Sequence, residues 1–195
     1  RREEEKEEEP TPIFKHTPRQ LEIPIFPGSA LRMSDQGEPA ELTLAERIEF
    51  MVTINRELAR DHAEDYARMF KALLEQDEGG FLVHCSAGKD RTGFACALIL
   101  HALGVPEQTV LEDYLLTNSA LDFEGYILPR LMARYGHEVV PDREAIMALA
   151  GVRPEYLRGA YEAIEAEFEG VEHYIEDAIG LDAGKRDILR ARLLD

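Results

Sequence analysis

Cys85 and Arg91 stand at the two ends of the stretch Cys85-Ser86-Ala87-Gly88-Lys89-Asp90-Arg91, with His84 before it and Thr92-Gly93 after it. A cysteine reacts as its thiolate, the strongest nucleophile among ordinary side chains. An arginine is a planar, permanently charged fork that grips two oxygens of an oxyanion at once. Held five residues apart by a loop, the pair could bring sulfur up to a tetrahedral oxyanion that the guanidinium holds. Lys89 adds a second cation, and Asp90 adds a carboxyl group within the same loop.

The flanking residues say what must position this loop. Before it comes a short apolar run, Phe81-Leu82-Val83, which predicts a strand over residues 81–84. After it, Phe94-Ala95-Cys96-Ala97-Leu98-Ile99-Leu100 predicts a helix that is apolar on most faces and therefore buried. A loop that opens a helix presents N–H groups with no partner inside the helix, so it forms a cradle for anions and favours a thiolate at its start. The bland alternative is a buried cysteine at a strand end with an incidental arginine. The Walker type of phosphate loop is excluded, because Gly88-Lys89 is followed by Asp90 and not by Ser or Thr.

A chain of 195 residues suffices for one domain with a real core, either alone or with an appended helical segment. Trp is absent, and 39 acids against 22 bases leave a net charge of −17. That balance argues against nucleic-acid and anionic-membrane partners, and it opposes a phosphorylated substrate at long range. No run approaches the length of a membrane span, so stable membrane insertion is not expected. Two cysteines, Cys85 and Cys96, give no disulfide framework and suit a reducing compartment. No secretory signal is visible, so the expected location is cytoplasmic, or secreted without a recognisable signal peptide if the N-terminus is incomplete. No Cys/His/Asp set has metal spacing, and no cofactor is expected.

Read in order, residues 1–12 are a charge run expected to be a mobile acidic segment. Leu21-Glu22-Ile23-Pro24-Ile25-Phe26 alternates, but Pro24 restricts it to an edge strand or an extended loop. Residues 43–76 predict two helices meeting near Arg60-Asp61-His62, the first opened by a capping box of Thr43 and Glu46. Tyr66, Met69, Phe70, Leu73 and Leu74 form the core stripe of the second. The helix after the loop should end at Leu103 with Gly104 as its cap, and a single helix should cover residues 106–118. Further helices are expected near residues 143–150, 154–168, 171–179 and 183–194. The acid-rich stretch 155–177 reads as a solvated outer face, and Cys96 reads as core, with capture of an oxidised Cys85 as its minor alternative.

His-Cys-x5-Arg-Thr is the signature of the cysteine-dependent tyrosine phosphatase superfamily, and His84 to Gly93 resembles it at every defining position. Ala97-Leu98-Ile99-Leu100, Leu103-Gly104-Val105, Asp113-Tyr114-Leu115-Leu116-Thr117-Asn118 and Gly151-Val152-Arg153-Pro154-Glu155-Tyr156-Leu157 extend the likeness to the bacterial atypical, mycobacterial tyrosine phosphatase B-like family, over roughly residues 45–194. The resemblance implies an α/β fold with a central, mainly parallel sheet flanked by helices. It also implies a helix-rich C-terminal half and a helical lid over residues 120–150, all within a single phosphatase domain spanning 1–195. Only residues 21–26 and 81–84 offer strands, so the N-terminal strands of that family are expected to be missing from this chain.

The resemblance further implies hydrolysis of phosphotyrosine, with phosphoserine/threonine and phosphoinositides as additional substrates. Cys85 is then the nucleophile. Arg91 and the N–H groups of Ser86, Ala87, Gly88, Lys89, Asp90, Arg91 and Thr92 bind the phosphate. Asp90 is the expected proton donor, against the alternatives that it only braces the loop or that a more N-terminal carboxyl serves. Lys89 adds positive charge, Thr92 donates to the sulfur or caps the helix, and His84 fixes the loop. The rivals are a lipid phosphatase of the same mechanism, a phosphate-binding pseudophosphatase, and an arsenate reductase or sulfurtransferase. Oligomeric state is not legible in the sequence.

Overall fold

The computed structural model describes residues 19–30, 42–129, 132 and 142–194. The charged run 1–12 lies outside the described residues, as does most of the middle of the expected lid. Thr43 caps helix α1 (Leu44–Asp61), and its hydroxyl accepts from the Glu46 N–H while the Glu46 carboxylate takes the Thr43 N–H at 2.8 Å. Helix α2 (Ala63–Glu75) follows after one residue, His62, and buries Tyr66, Met69, Phe70 and Leu73, with Leu74 partly covered. Helix α3 (Asp90–Leu103) opens at the Cys85 loop and ends at Gly104, whose φ of 89° closes the last turn.

The segment expected as one helix over 106–118 is shorter. Helix α4 (Glu107–Leu115) stops where the Leu116 N–H tightens onto the Asp113 carbonyl, and a separate turn, Thr117–Ala120, follows. A π-helical turn (Phe123–Ile127) leads away from it. Helix α5 (Arg143–Ala150) and helix α6 (Pro154–Glu167) come next; the Arg143 guanidinium lies 4.4 Å over the Phe123 ring. The chain closes with Val171–His173, a π-helical turn (Tyr174–Ala178) and helix α7 (Ala183–Leu193).

The expected central parallel sheet is not there: among the described residues the chain forms helices and no strand. Neither strand candidate forms regular structure or pairs with another strand among the described residues. In the first, Ile23, Ile25 and Pro27 turn inward at every second position, and Ser29, in the helical turn that follows, gives its N–H and hydroxyl to the Glu57 carboxylate at 2.9 and 2.6 Å. In the second, Leu82 is 74 % exposed, which a central strand between covering helices would not allow. Local alternation and apolar runs are conditions for a strand, while the ladder itself depends on partners elsewhere in the chain.

Helix α3 is buried as its composition requires, but by helices. Phe94, Ala95, Ala97, Leu98 and Ala102 face the cluster formed with Leu58, Phe70, Val110, Leu157, Tyr174, Ile175 and Leu189. The partners come from α1, α2, α4, α6 and the C-terminal elements. Two stretches far apart in sequence are clamped together by Asn118, whose side chain donates to the Val152 carbonyl at 2.8 Å and accepts its N–H at 2.9 Å. Helix α1 packs closest against α6, because Gly159 leaves room for Val52.

Candidate active site

The site is built on the N-terminus of α3. Residues 80–85 reach it without regular secondary structure, and Gly88 turns the chain with φ at 70°, a conformation that a side chain would make strained. That turn aims the Gly88 N–H at the Cys85 sulfur, at 3.1 Å. Lys89 occupies the cap position without a side-chain cap bond, so its side chain takes up none of the first-turn N–H groups of α3.

Cys85 is half-buried. Burial alone would push its thiol up. The Thr92 hydroxyl, the Arg91 charge and the N–H groups of Gly88 and Thr92 outweigh that, leaving the thiol below its ordinary value. Thr92 Oγ1 is buried with no hydrogen bond of ordinary geometry among the described residues, and its hydroxyl is the first of the influences that lower the Cys85 thiol. Cys96 is the opposite case. Burial and the Asp113 charge raise its thiol, which suits an inert core cysteine.

Arg91 is fixed from two sides. Its Nη1 donates to the Ile25 carbonyl at 3.3 Å, and the Tyr66 hydroxyl donates to its backbone carbonyl at 3.4 Å. Tyr66 in turn meets the Phe94 ring edge-on at 5.1 Å. The residues that hold the arginine thus lie 66 and 25 positions upstream. His84 is exposed, with its Nδ1 3.4 Å from the Cys85 carbonyl.

Lys89 and Asp90, adjacent in the loop, face each other. Lys89 Nζ sits 2.7 Å from Asp90 Oδ2, and Lys89 is only 7 % exposed. The contact is ionic without hydrogen-bond angles, so Lys89 Nζ, like Asp90 Oδ1, has no hydrogen-bond partner among the described residues. The Lys89 ammonium is thus buried against the Asp90 carboxyl group. Ser86, Ala87 and Gly88 are exposed and line the loop with backbone. All the residues expected at the site are therefore brought to one end of α3. Ile25 and Tyr66, which hold Arg91, carried no such expectation, because nothing in their spacing ties them to the loop.

Among the described residues, no group of three or more His, Cys, Asp and Glu side chains could hold a metal ion. Chemically, the arrangement offers a stabilised thiolate, an anion cradle of backbone N–H groups, a fixed guanidinium and a carboxyl group within one loop.

Comparison with known proteins agrees with that inventory. The model of the tyrosine phosphatase family matches residues 1–195. A Cupriavidus necator protein whose name places it among the tyrosine-protein phosphatases is 37 % identical over 133 residues, covering 66 % of this chain and 46 % of its own. The triple specificity protein phosphatase PtpB of Mycobacterium tuberculosis is 32 % identical over 120 residues, 58 % of this chain and 43 % of its own. A tyrosine-protein phosphatase of Nostoc commune is 30 % identical over 138 residues, 66 % of this chain and 44 % of its own. The chain thus spans less than half the length of each of these relatives.

Proposed function

The chain belongs to the tyrosine phosphatase family, and from that premise we propose that it hydrolyses phosphate monoesters through a phosphocysteine, with phosphotyrosine in proteins as the substrate and phosphoserine/threonine as further ones. The observation that carries the reading is the Cys85 sulfur, held below its ordinary thiol value beside the Gly88 N–H and the Arg91 guanidinium. Phosphoryl transfer requires little beyond in-line positioning and stabilisation of charge on three equatorial oxygens. Arg91 and the N–H groups of residues 86–92 supply both.

In the first step the Cys85 thiolate attacks phosphorus, the S–P bond forms and the ester P–O bond breaks. The electron pair goes to the leaving oxygen, which takes a proton from Asp90. In the second, water attacks phosphorus, the S–P bond breaks, and the water's proton returns to the Asp90 carboxylate as inorganic phosphate leaves. The Thr92 hydroxyl favours sulfur as leaving group by holding the thiolate. The triple specificity in the name of the Mycobacterium tuberculosis relative supports a broad choice of phosphate ester. Lys89, buried against Asp90, gives the phosphoinositide reading no added support.

The test is Cys85→Ser. Turnover of p-nitrophenyl phosphate should fall by at least about a thousandfold, as expected when a covalent nucleophile is removed, while inorganic phosphate still binds. Substantial remaining turnover would overturn the mechanism, and loss of turnover in every assay of the wild-type chain would favour a phosphate-binding pseudophosphatase.

A further inference from the structure

Tyr114 is 3 % exposed, and its hydroxyl has no hydrogen-bond partner among the described residues. A buried, unsatisfied phenol is destabilising, so a tyrosine at such a place calls for a group to serve. Its ring lies on the first turns of α3. A Cβ at Gly93 would stand 2.7 and 2.8 Å from the ring carbons Cε2 and Cδ2, with Cζ at 4.0 Å, so only glycine admits the ring. Residue 90 is three positions before 93 on the same helix, hence on the same face, and Cβ vectors tilt toward the helix N-terminus. The ring over Gly93 thus lies on the face that carries Asp90, close enough for the Asp90 charge to act on its phenol.

Asp90 shows the matching deficiency. One carboxylate oxygen, Oδ2, faces Lys89 at 2.7 Å, while the other, Oδ1, is buried and unpartnered. A phenol can only donate to a carboxylate, and a carboxylate can only accept.

We propose that Tyr114 is a positioning residue for Asp90: its hydroxyl donates toward Oδ1, directly as the carboxyl turns or relayed by one water, and holds that carboxyl at the mouth of the Cys85 loop. The inference rests on the reading of Asp90 as proton donor. When Asp90 gives its proton to the leaving oxygen, the new carboxylate charge falls between Lys89 and the Tyr114 hydroxyl, which stabilise it. Burial and the Asp90 charge both push the Tyr114 phenol up, so it stays a donor through the cycle. The other titratable groups facing this spot are Lys89 in the loop and Tyr156 and Tyr161 of α6, with Arg153 beside Tyr156. Tyr156 is already used, donating to the Ala148 carbonyl at 2.7 Å, and Tyr161 pairs with His101 at 2.9 Å.

Tyr114→Phe keeps the ring that fills the space over Gly93, and an unchanged circular dichroism spectrum will show that the variant folds. Rates are measured for a series of aryl phosphates from p-nitrophenyl, which leaves readily, to phenyl, which needs the proton. The expected result is a loss of about three- to tenfold in kcat for phenyl phosphate, with KM held and p-nitrophenyl phosphate nearly unaffected. The dependence on the leaving group should thus steepen, an effect that a packing role alone would not produce. Asp90→Asn should steepen it further, and adding Tyr114→Phe to Asp90→Asn should do nothing more. A steepening in Asp90→Asn but none in Tyr114→Phe overturns the inference and leaves the donor standing, as does a Tyr114→Phe loss that persists in the double variant. A flat response in Asp90→Asn overturns the donor assignment, and the inference with it.

Discussion

Thr92 stands one position after the arginine, where its buried hydroxyl makes no hydrogen bond of ordinary geometry among the described residues but lowers the Cys85 thiol. Opposing influences act on that thiol. Burial raises it, and the Thr92 hydroxyl is the first of the groups that bring it down, ahead of the Arg91 charge. Thr92→Val preserves the shape and removes the hydroxyl, so the thiol should return toward its ordinary value. At any pH below that value the thiolate fraction falls, and the pH profile of iodoacetamide inactivation moves to higher pH. A shift of about 0.5–1 unit is expected, the size of one hydrogen bond. A profile that does not move would mean that Arg91 and the backbone N–H groups hold the thiolate unaided.

At the scale of elements, the Arg91 guanidinium is held by a stretch, residues 21–27, that is not a regular element at all. Ile25 is buried in the main core, and its carbonyl takes the Arg91 guanidinium at 3.3 Å, while no ladder ties the stretch down. Segments without such bonds open locally before the fold does. Ile25→Ala removes the side-chain anchor, a change worth about 2 kcal/mol or more in a packed site. The expected outcome is a several-fold fall in kcat/KM for p-nitrophenyl phosphate with only a few degrees lost in Tm. A thermal loss with kcat/KM untouched would show that Arg91 needs no support from Ile25. The same segment marks the limit of what the sequence discloses. Helices α1 to α3 and the capping box of Thr43 and Glu46 follow from local periodicity and end signals, and the loop residues from a ten-residue motif. The alternation at residues 21–26 was legible and its inward face is real, but whether it enters a sheet depends on neighbours that no local pattern encodes. Gly93 and Tyr114 likewise lie 21 positions apart, and their contact arises only from how α4 crosses α3.

Over the whole molecule the charge works against the site. The chain carries −17, and Glu162, Glu165, Glu167, Glu169, Glu172 and Glu176 lie exposed on the C-terminal helices. Within the loop, the Lys89 ammonium is buried 2.7 Å from the Asp90 carboxyl group, which leaves Arg91 and the positive end of α3 as the local attraction for a phosphate. That attraction is short-ranged, while the repulsion from the surface extends over a Debye length, about 30 Å at 0.01 M salt and about 10 Å at 0.1 M. Approach of a dianionic substrate should therefore be slowed at low ionic strength and relieved by screening, the reverse of a site that steers its anion in. Raising sodium chloride from about 0.01 to about 0.1 M should increase kcat/KM for p-nitrophenyl phosphate two- to fivefold, as an estimate from that screening. Alkylation of Cys85 gives the same comparison without turnover. The ratio of the rate with anionic iodoacetate to that with neutral iodoacetamide should rise over the same salt range, since any change in the thiolate itself cancels in the ratio. A ratio that falls with salt would mean that the field of the loop, with Arg91 at its centre, reaches beyond the acidic surface and governs the approach of the anion.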